Sequence, residues 1–203
     1  MIKRNIRAFL DVETTGIKSY SSHVIEVAAV VMDEDMNIMS EFETMANPGE
    51  AALAQASPEA LEVNKIALEE IRRAPASEEA ARTLKAFLDR WPQSQFHAYN
   101  NDFDLWFLAR APWYLPARSW GECVMRATQK VMENAGKLPH FPNGDPKWPS
   151  LQEAAKFFGI PRLQSHRALD DARIAAMVYR EVLRGRTELV LEDESRMIQE
   201  DGF

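Results

Sequence analysis

Asp11 and Glu13 sit in the hexapeptide Asp11-Val12-Glu13-Thr14-Thr15-Gly16, directly after the apolar stretch Ile6-Arg7-Ala8-Phe9-Leu10. An apolar run entering a glycine turn reads as a short buried strand. Side chains alternate along a strand, so the two acids project from one face, about 7 Å apart. Carboxylates this close at the end of a buried strand repel each other. A divalent cation with oxygen ligands relieves that repulsion best. The plainer alternative is that either residue is a solvated strand-end acid.

Two further acids could share the site. The segment Tyr99-Asn100-Asn101-Asp102-Phe103-Asp104 leads into a helix, and Asp104 in its first turn can approach the mouth of a sheet beside the first strand. A helix cap accounts for one of Asp102 and Asp104, and the other needs a different explanation. The third segment is His166-Arg167-Ala168-Leu169-Asp170-Asp171. Helical steps from Asp171 reach Ala175, Val178 and Val182, an apolar stripe that faces a core. Asp171 therefore points inward, while Asp170 lies about 100° round the helix. His166 is the one histidine placed to share a site with an acid. His23, His97 and His140 read as structural or exposed.

These residues need a sheet and helices to bring them together. Residues 6–13 form the first expected strand, and Val24 to Met32 a central one broken only by Glu26. Ile38 to Met45 is the third, and the short turns between them predict an antiparallel meander. Ser57-Pro58-Glu59 starts a helix, as does Ser77, whose helix stops at Pro92. Gln95 to Tyr99 is a short fourth strand, followed by a helix from about Phe103 to Arg110. Near Glu122-Cys123-Val124-Met125 the chain reads either as a second strand–helix unit or as helix throughout. Residues 134–149, with four prolines and two glycines, form a loop. Ser150 and Glu153 make a capping box for a helix ending at Gly159. The last long helix is expected from about Leu169 to Arg184, ending at Gly185. Antiparallel strands followed by strand–helix alternation predict an α/β fold, a mixed sheet with helices on both faces.

The 203 residues suit one domain of ordinary composition, 46% hydrophobic. We place that domain at residues 1–185 and an acidic tail at 186–203, either a short helix through Leu189, Leu191 and Ile198 or a solvated end. No apolar run is long enough to span a membrane. Cys123 is the single cysteine, which fits a reducing cytoplasm and a small buried side chain. A net charge of −7 argues against binding duplex nucleic acid through a broad basic surface. It leaves open an enzyme that meets phosphate through bound metal, which reverses the local sign.

In order, DVETTG, NNDFD and HRALDD resemble the three motifs of the DnaQ-like (DEDDh) 3′–5′ exonucleases, with relatives among polymerase proofreading subunits, oligoribonuclease and ribonuclease T. The similarity runs over roughly residues 6–184, and each motif alone is weaker than the three together. It implies a ribonuclease H-like fold, a five-stranded mixed sheet between helices. It implies that Asp11, Glu13, Asp104 and Asp171 hold two divalent ions, Mg²⁺ or Mn²⁺, with His166 as general base. Thr14, Thr15, Gly16, Ile17 and Asn100 are then candidates for contacting the 3′-terminal nucleotide. Two positions depart from the pattern of many relatives: Tyr99 where they carry His, and Cys123-Val124 where they carry Asp-Thr. The loop 134–149 also looks longer than in minimal members. Its Lys137, His140, Phe141, Lys147 and Trp148 are either a surface for stacking single-stranded bases or a proline-braced lid.

Four acids sharing two ions suit phosphodiester hydrolysis, in which paired cations serve the attacking and leaving oxygens. A histidine with an ordinary pKa near 6.5 can take the proton at neutral pH. The expectation is a metal-dependent 3′–5′ exonuclease of single-stranded nucleic acid, with DNA as the first reading, acting alone or within a polymerase or other processing complex. An exoribonuclease or oligoribonuclease is one alternative, and a weakly active binding subunit of a polymerase or nuclease complex is another.

Overall fold

The computed structural model describes residues 5–18, 20–161 and 167–200, with 186–200 described by backbone alone. Strands β1 (Arg7–Thr14), β2 (Val24–Met32) and β3 (Ile38–Met45) form the expected antiparallel meander. β2 is buried along its whole length, which is why it reads as a nearly unbroken apolar run. Helices α1 (Glu50–Leu53), α2 (Pro58–Asn64), α3 (Leu68–Arg73) and α4 (Ser77–Leu88) follow. The Ser57 hydroxyl caps α2 by accepting from the Ala60 N–H, with Pro58 at the first helical position. β4 (Gln95–His97) then joins β1 in parallel, giving the order β3-β2-β1-β4. Helices α5 (Asn101–Leu108), α6 (Val124–Asn134), α7 (Leu151–Phe157) and α8 (Ala168–Glu200) complete the chain.

Strand alternation sorts β1 between two helical layers. Ala8, Leu10 and Val12 pack with Leu84 and Phe87 of α4 and Leu108 of α5. Phe9, with Ala28 and Val30 of β2, packs against Val124 of α6, Ala154 of α7 and Ala172, Ala175 and Val178 of α8. Asp11 and Glu13 continue the Phe9 side, so the same alternation delivers them to the α8 layer.

Three expectations are corrected. The sheet has four strands among the described residues, not five. The segment before α6 reaches β4 but makes only one bridge, Phe96 to Trp120. Gly121 presses on the His97 ring, where an added Cβ would fall 2.6 Å from Cε1, and Cys123 already caps α6. The chain thus enters helix before a second strand can extend. β4 stops at His97 rather than Tyr99, because Asn101 Oδ1 accepts the Ala98 N–H at 2.7 Å and ends the ladder. Finally, α8 passes Gly185 and continues to Glu200. A glycine stops a helix by turning left-handed, as Gly159 does after α7 with φ 67°, and Gly185 does not. No described helix is long and apolar enough to cross a membrane.

Candidate active site

One carboxylate oxygen from each of Asp11, Glu13 and Asp171 lies within 4.8 Å of the others. β1 supplies the first two, and the first turn of α8 supplies the third. Ala28, small and fully buried, stands opposite Asp11 across the β1–β2 pair. Asp104 comes from the first turn of α5, only 3% exposed, and accepts the backbone N–H of Val12. Among its charged neighbours, Asp104 raises Asp11 most, yet it lies outside the group of three. Asp170 turns away and pairs with Arg173 at 3.2 Å. His166 lies outside the described residues.

The electrostatics of the cluster ask for a cation. Burial, then the charges of Asp104, Asp171, Glu13 and Glu26, push Asp11 well above the usual carboxylate range. Burial, then Asp171, Glu26 and Asp104, raise Glu13 to about 8, with Arg167 pulling the other way. Burial, then Asp170, raise Asp171 to about 6. Burial also raises Asp104, against backbone N–H groups that favour its charged form. Repelling acids with an all-oxygen donor set fit a hard divalent cation such as Mg²⁺ or Mn²⁺.

The turn after β1 is braced from both sides. A register shift between Glu13 and Thr14 ends the ladder. The Thr14 hydroxyl donates to the Gly16 carbonyl at 2.8 Å, and the Thr15 hydroxyl accepts the His23 N–H at 2.9 Å. From α2, Asn64 Nδ2 donates to the Thr14 carbonyl at 2.8 Å. The Ser57 N–H donates to the Thr15 carbonyl at 2.8 Å. Both threonine side chains are therefore spent inside the turn. An added Cβ at Gly16 would fall 2.6 Å from the Ser22 hydroxyl, which would have to turn aside to admit it. Ile17 is 81% exposed and Val63 of α2 is 59% exposed, large apolar groups left in water beside the turn. Asn100 is exposed at the start of α5.

Glu26 is a further buried acid at the site, one whose place there local sequence pattern does not reveal. It is fully buried opposite Glu13, and its carboxylate accepts from Arg167 Nε at 2.8 Å, from Arg167 Nη2, and from the Ala168 N–H at 2.9 Å. Arg167 also approaches Glu70 of α3 at 3.6 Å. Glu26 thus ties the first residue of α8 to β2, three residues before Asp171. A lone acid inside an apolar strand was the available signal, because such a residue has to be paired. Its partner lies 141 residues away, beyond any local pattern.

Comparison with known proteins places this geometry. A family model described as Exonuclease matches residues 8–179. The PolC-type DNA polymerase III of Caldanaerobacter subterraneus subsp. tengcongensis is 27% identical over 187 residues, covering 92% of this chain and 12% of that protein. Its counterpart in Thermotoga petrophila is 28% identical over 178 residues, covering 84% and 11%. The chain thus spans about an eighth of the length of these curated relatives. Among solved structures, E. coli Exonuclease I in complex with a 5cy-dT13 oligonucleotide has a TM-score of 0.74 at 16% identity, covering 94% of this chain and 43% of that one. The nuclease domain of 3′hExo, a DEDDh family member bound to rAMP, has a TM-score of 0.69 at 15% identity, covering 91% and 94%.

Proposed function

The chain belongs to the DnaQ-like exonuclease family, and on that premise we propose that it is a metal-dependent 3′–5′ exonuclease that trims single-stranded DNA to nucleoside 5′-monophosphates. The observation that carries this reading is the convergence of Asp11, Glu13 and Asp171, with Asp104 beside Asp11, at a turn flanked by exposed Ile17 and Val63.

Asp11, Glu13, Asp104 and Asp171 would hold two ions, Mg²⁺ or Mn²⁺. When bound, these supply positive charge against the phosphodiester and acidify a water. His166 takes the proton from the attacking water, a role suited to an imidazole near neutral pH. Thr14, Thr15 and Gly16, held in shape by the hydrogen bonds of their turn, form with Asn100 the surface that meets the terminal nucleotide, and Ile17 packs on its base. Glu26 and Arg167 position the start of α8. We place the catalytic unit at residues 1–185 and an acidic segment at 186–203, which begins inside α8, and take the setting as cytoplasmic.

DNA is favoured over RNA because the sequence relatives are named as DNA polymerases. The same similarity favours a second reading of context, in which the chain works beside a polymerase. The test is one gel series with 3′- and 5′-labelled single-stranded DNA, RNA and duplexes, in Mg²⁺, Mn²⁺ or EDTA. A 3′-labelled strand should release labelled mononucleotide first, and a 5′-labelled strand should shorten stepwise. Cleavage of a circular single strand, or activity in EDTA, overturns the proposal.

A further inference from the structure

Trp148 is 52% exposed, yet the backbone that carries it is pinned. The Tyr99 hydroxyl donates to the Pro149 carbonyl at 2.7 Å in a buried bond. Burial holds that phenol far above its ordinary value, so it remains a donor at every working pH. The Lys147 N–H donates to the Pro139 carbonyl at 3.0 Å, and the Lys147 ammonium pairs with Glu153 of α7 at 2.8 Å. A large ring held in a fixed place but left in water is built to meet something else.

The surroundings name the chemistry. The Arg126 guanidinium lies 6.0 Å from the Trp148 ring centre and is held by Asp102 at 2.7 Å. Asp102 is in the first turn of α5, two residues before Asp104. Lys130 lies one helical turn beyond Arg126 on the exposed side of α6. An exposed indole with a guanidinium shared with Asp102, and an exposed lysine one turn further along α6, offer stacking and positive charge suited to a single-stranded polyanion.

Position gives direction. α2, which carries exposed Val63, holds the Thr14 carbonyl of the turn that leads from Glu13 to exposed Ile17. α5 and α6 both start against residues 98–99, where the chain leaves β4 beside β1. The start of α5 links the two places, since it carries Asp104 of the carboxylate set and Asp102, which holds Arg126 beside Trp148. We propose that Trp148 stacks a base upstream of the scissile phosphodiester, while Arg126 and Lys130 meet its phosphates. The proposal rests on the exonuclease reading and adds the path of the strand. Tyr99 anchors that path by holding Pro149.

The experiment compares KM on a thymidylate oligomer of about twelve nucleotides with KM on a dinucleotide, for the full chain and its Trp148→Ala and Trp148→Phe variants, with thermal melts as folding controls. Loss of one stacked base should raise KM for the oligomer roughly 5- to 100-fold. It should move KM for the dinucleotide far less, and Trp148→Phe should recover most of the loss. Arg126→Gln should raise oligomer KM at low salt and flatten its salt dependence. An equal shift on both lengths, or no shift, overturns the platform alone. Wild-type protein that degrades neither probe overturns the exonuclease reading, and the platform with it.

Discussion

Arg167 donates two hydrogen bonds to one oxygen of the buried Glu26 carboxylate, while the Ala168 N–H occupies the other at 2.9 Å. The pair spans 141 residues and joins the central strand to the segment between His166 and Asp171. Breaking a buried ion pair leaves a charge without its partner, at a cost of about 3 kcal/mol, the lower end of the range because Arg167 keeps contact with water. Glu26→Ala should therefore lower the melting temperature by roughly 6–12 °C. It should also weaken Mn²⁺ binding roughly tenfold, since the helix that carries Asp171 loses its anchor. A normal Mn²⁺ titration in the destabilised variant would reduce the pair to a purely structural role.

The raised acids make stability depend on pH in an unusual direction. Glu13 titrates near 8 in the folded, metal-free protein, against an ordinary value near 4.5. Asp171 titrates near 6, against 3.8. A folded-state pKa above the unfolded value gives stability that is full below the unfolded pKa and lost as pH rises through the folded one. Metal-free protein should accordingly lose stability between about pH 4 and 8, and saturating Mg²⁺ should abolish most of that slope. Melts across this window, with and without EDTA, check it. A stability that rises with pH in EDTA contradicts the arrangement.

Neighbouring acids on α8 should behave as opposites. Asp171 faces Asp11 and Glu13, while Asp170 pairs with Arg173. Asp171→Asn should lose at least about 100-fold in kcat, and Asp170→Asn should stay within about threefold of wild type. The Asp170 pair is partly exposed, and such pairs contribute little to stability. Steady-state kinetics on one oligonucleotide decide between them.

Much of this was legible in the sequence. Strands at Val24–Met32 and Ile38–Met45, the capping box at Ser150 and the inward face of Asp171 all follow from local periodicity and cap chemistry. The missing fifth strand was not legible, because it turns on Gly121 meeting the His97 ring. The length of α8 was misread because a glycine's handedness is not written in its neighbours. Glu26 looked like an interruption of a strand until a distant arginine explained it.

The turn offers a test away from the acids. Asn64 is buried, and its amide holds the Thr14 carbonyl at 2.8 Å. Asn64→Ala leaves that carbonyl unpaired, which costs about 1–3 kcal/mol. The loosened turn should raise KM for a single-stranded oligonucleotide by roughly tenfold, more than it lowers kcat. A change confined to kcat would show that the turn does not hold the substrate.

The central claim is that four carboxylates act as one metal-holding set, and Asp104 tests it best because it stands outside the closest group of three. The measurement is the rate of mononucleotide release from 3′-labelled single-stranded DNA by Asp104→Ala in saturating Mg²⁺ or Mn²⁺, with circular dichroism to confirm a folded protein. A loss of at least about 1000-fold is expected, in a protein that still melts cooperatively. Activity within tenfold of wild type in that folded variant would contradict it.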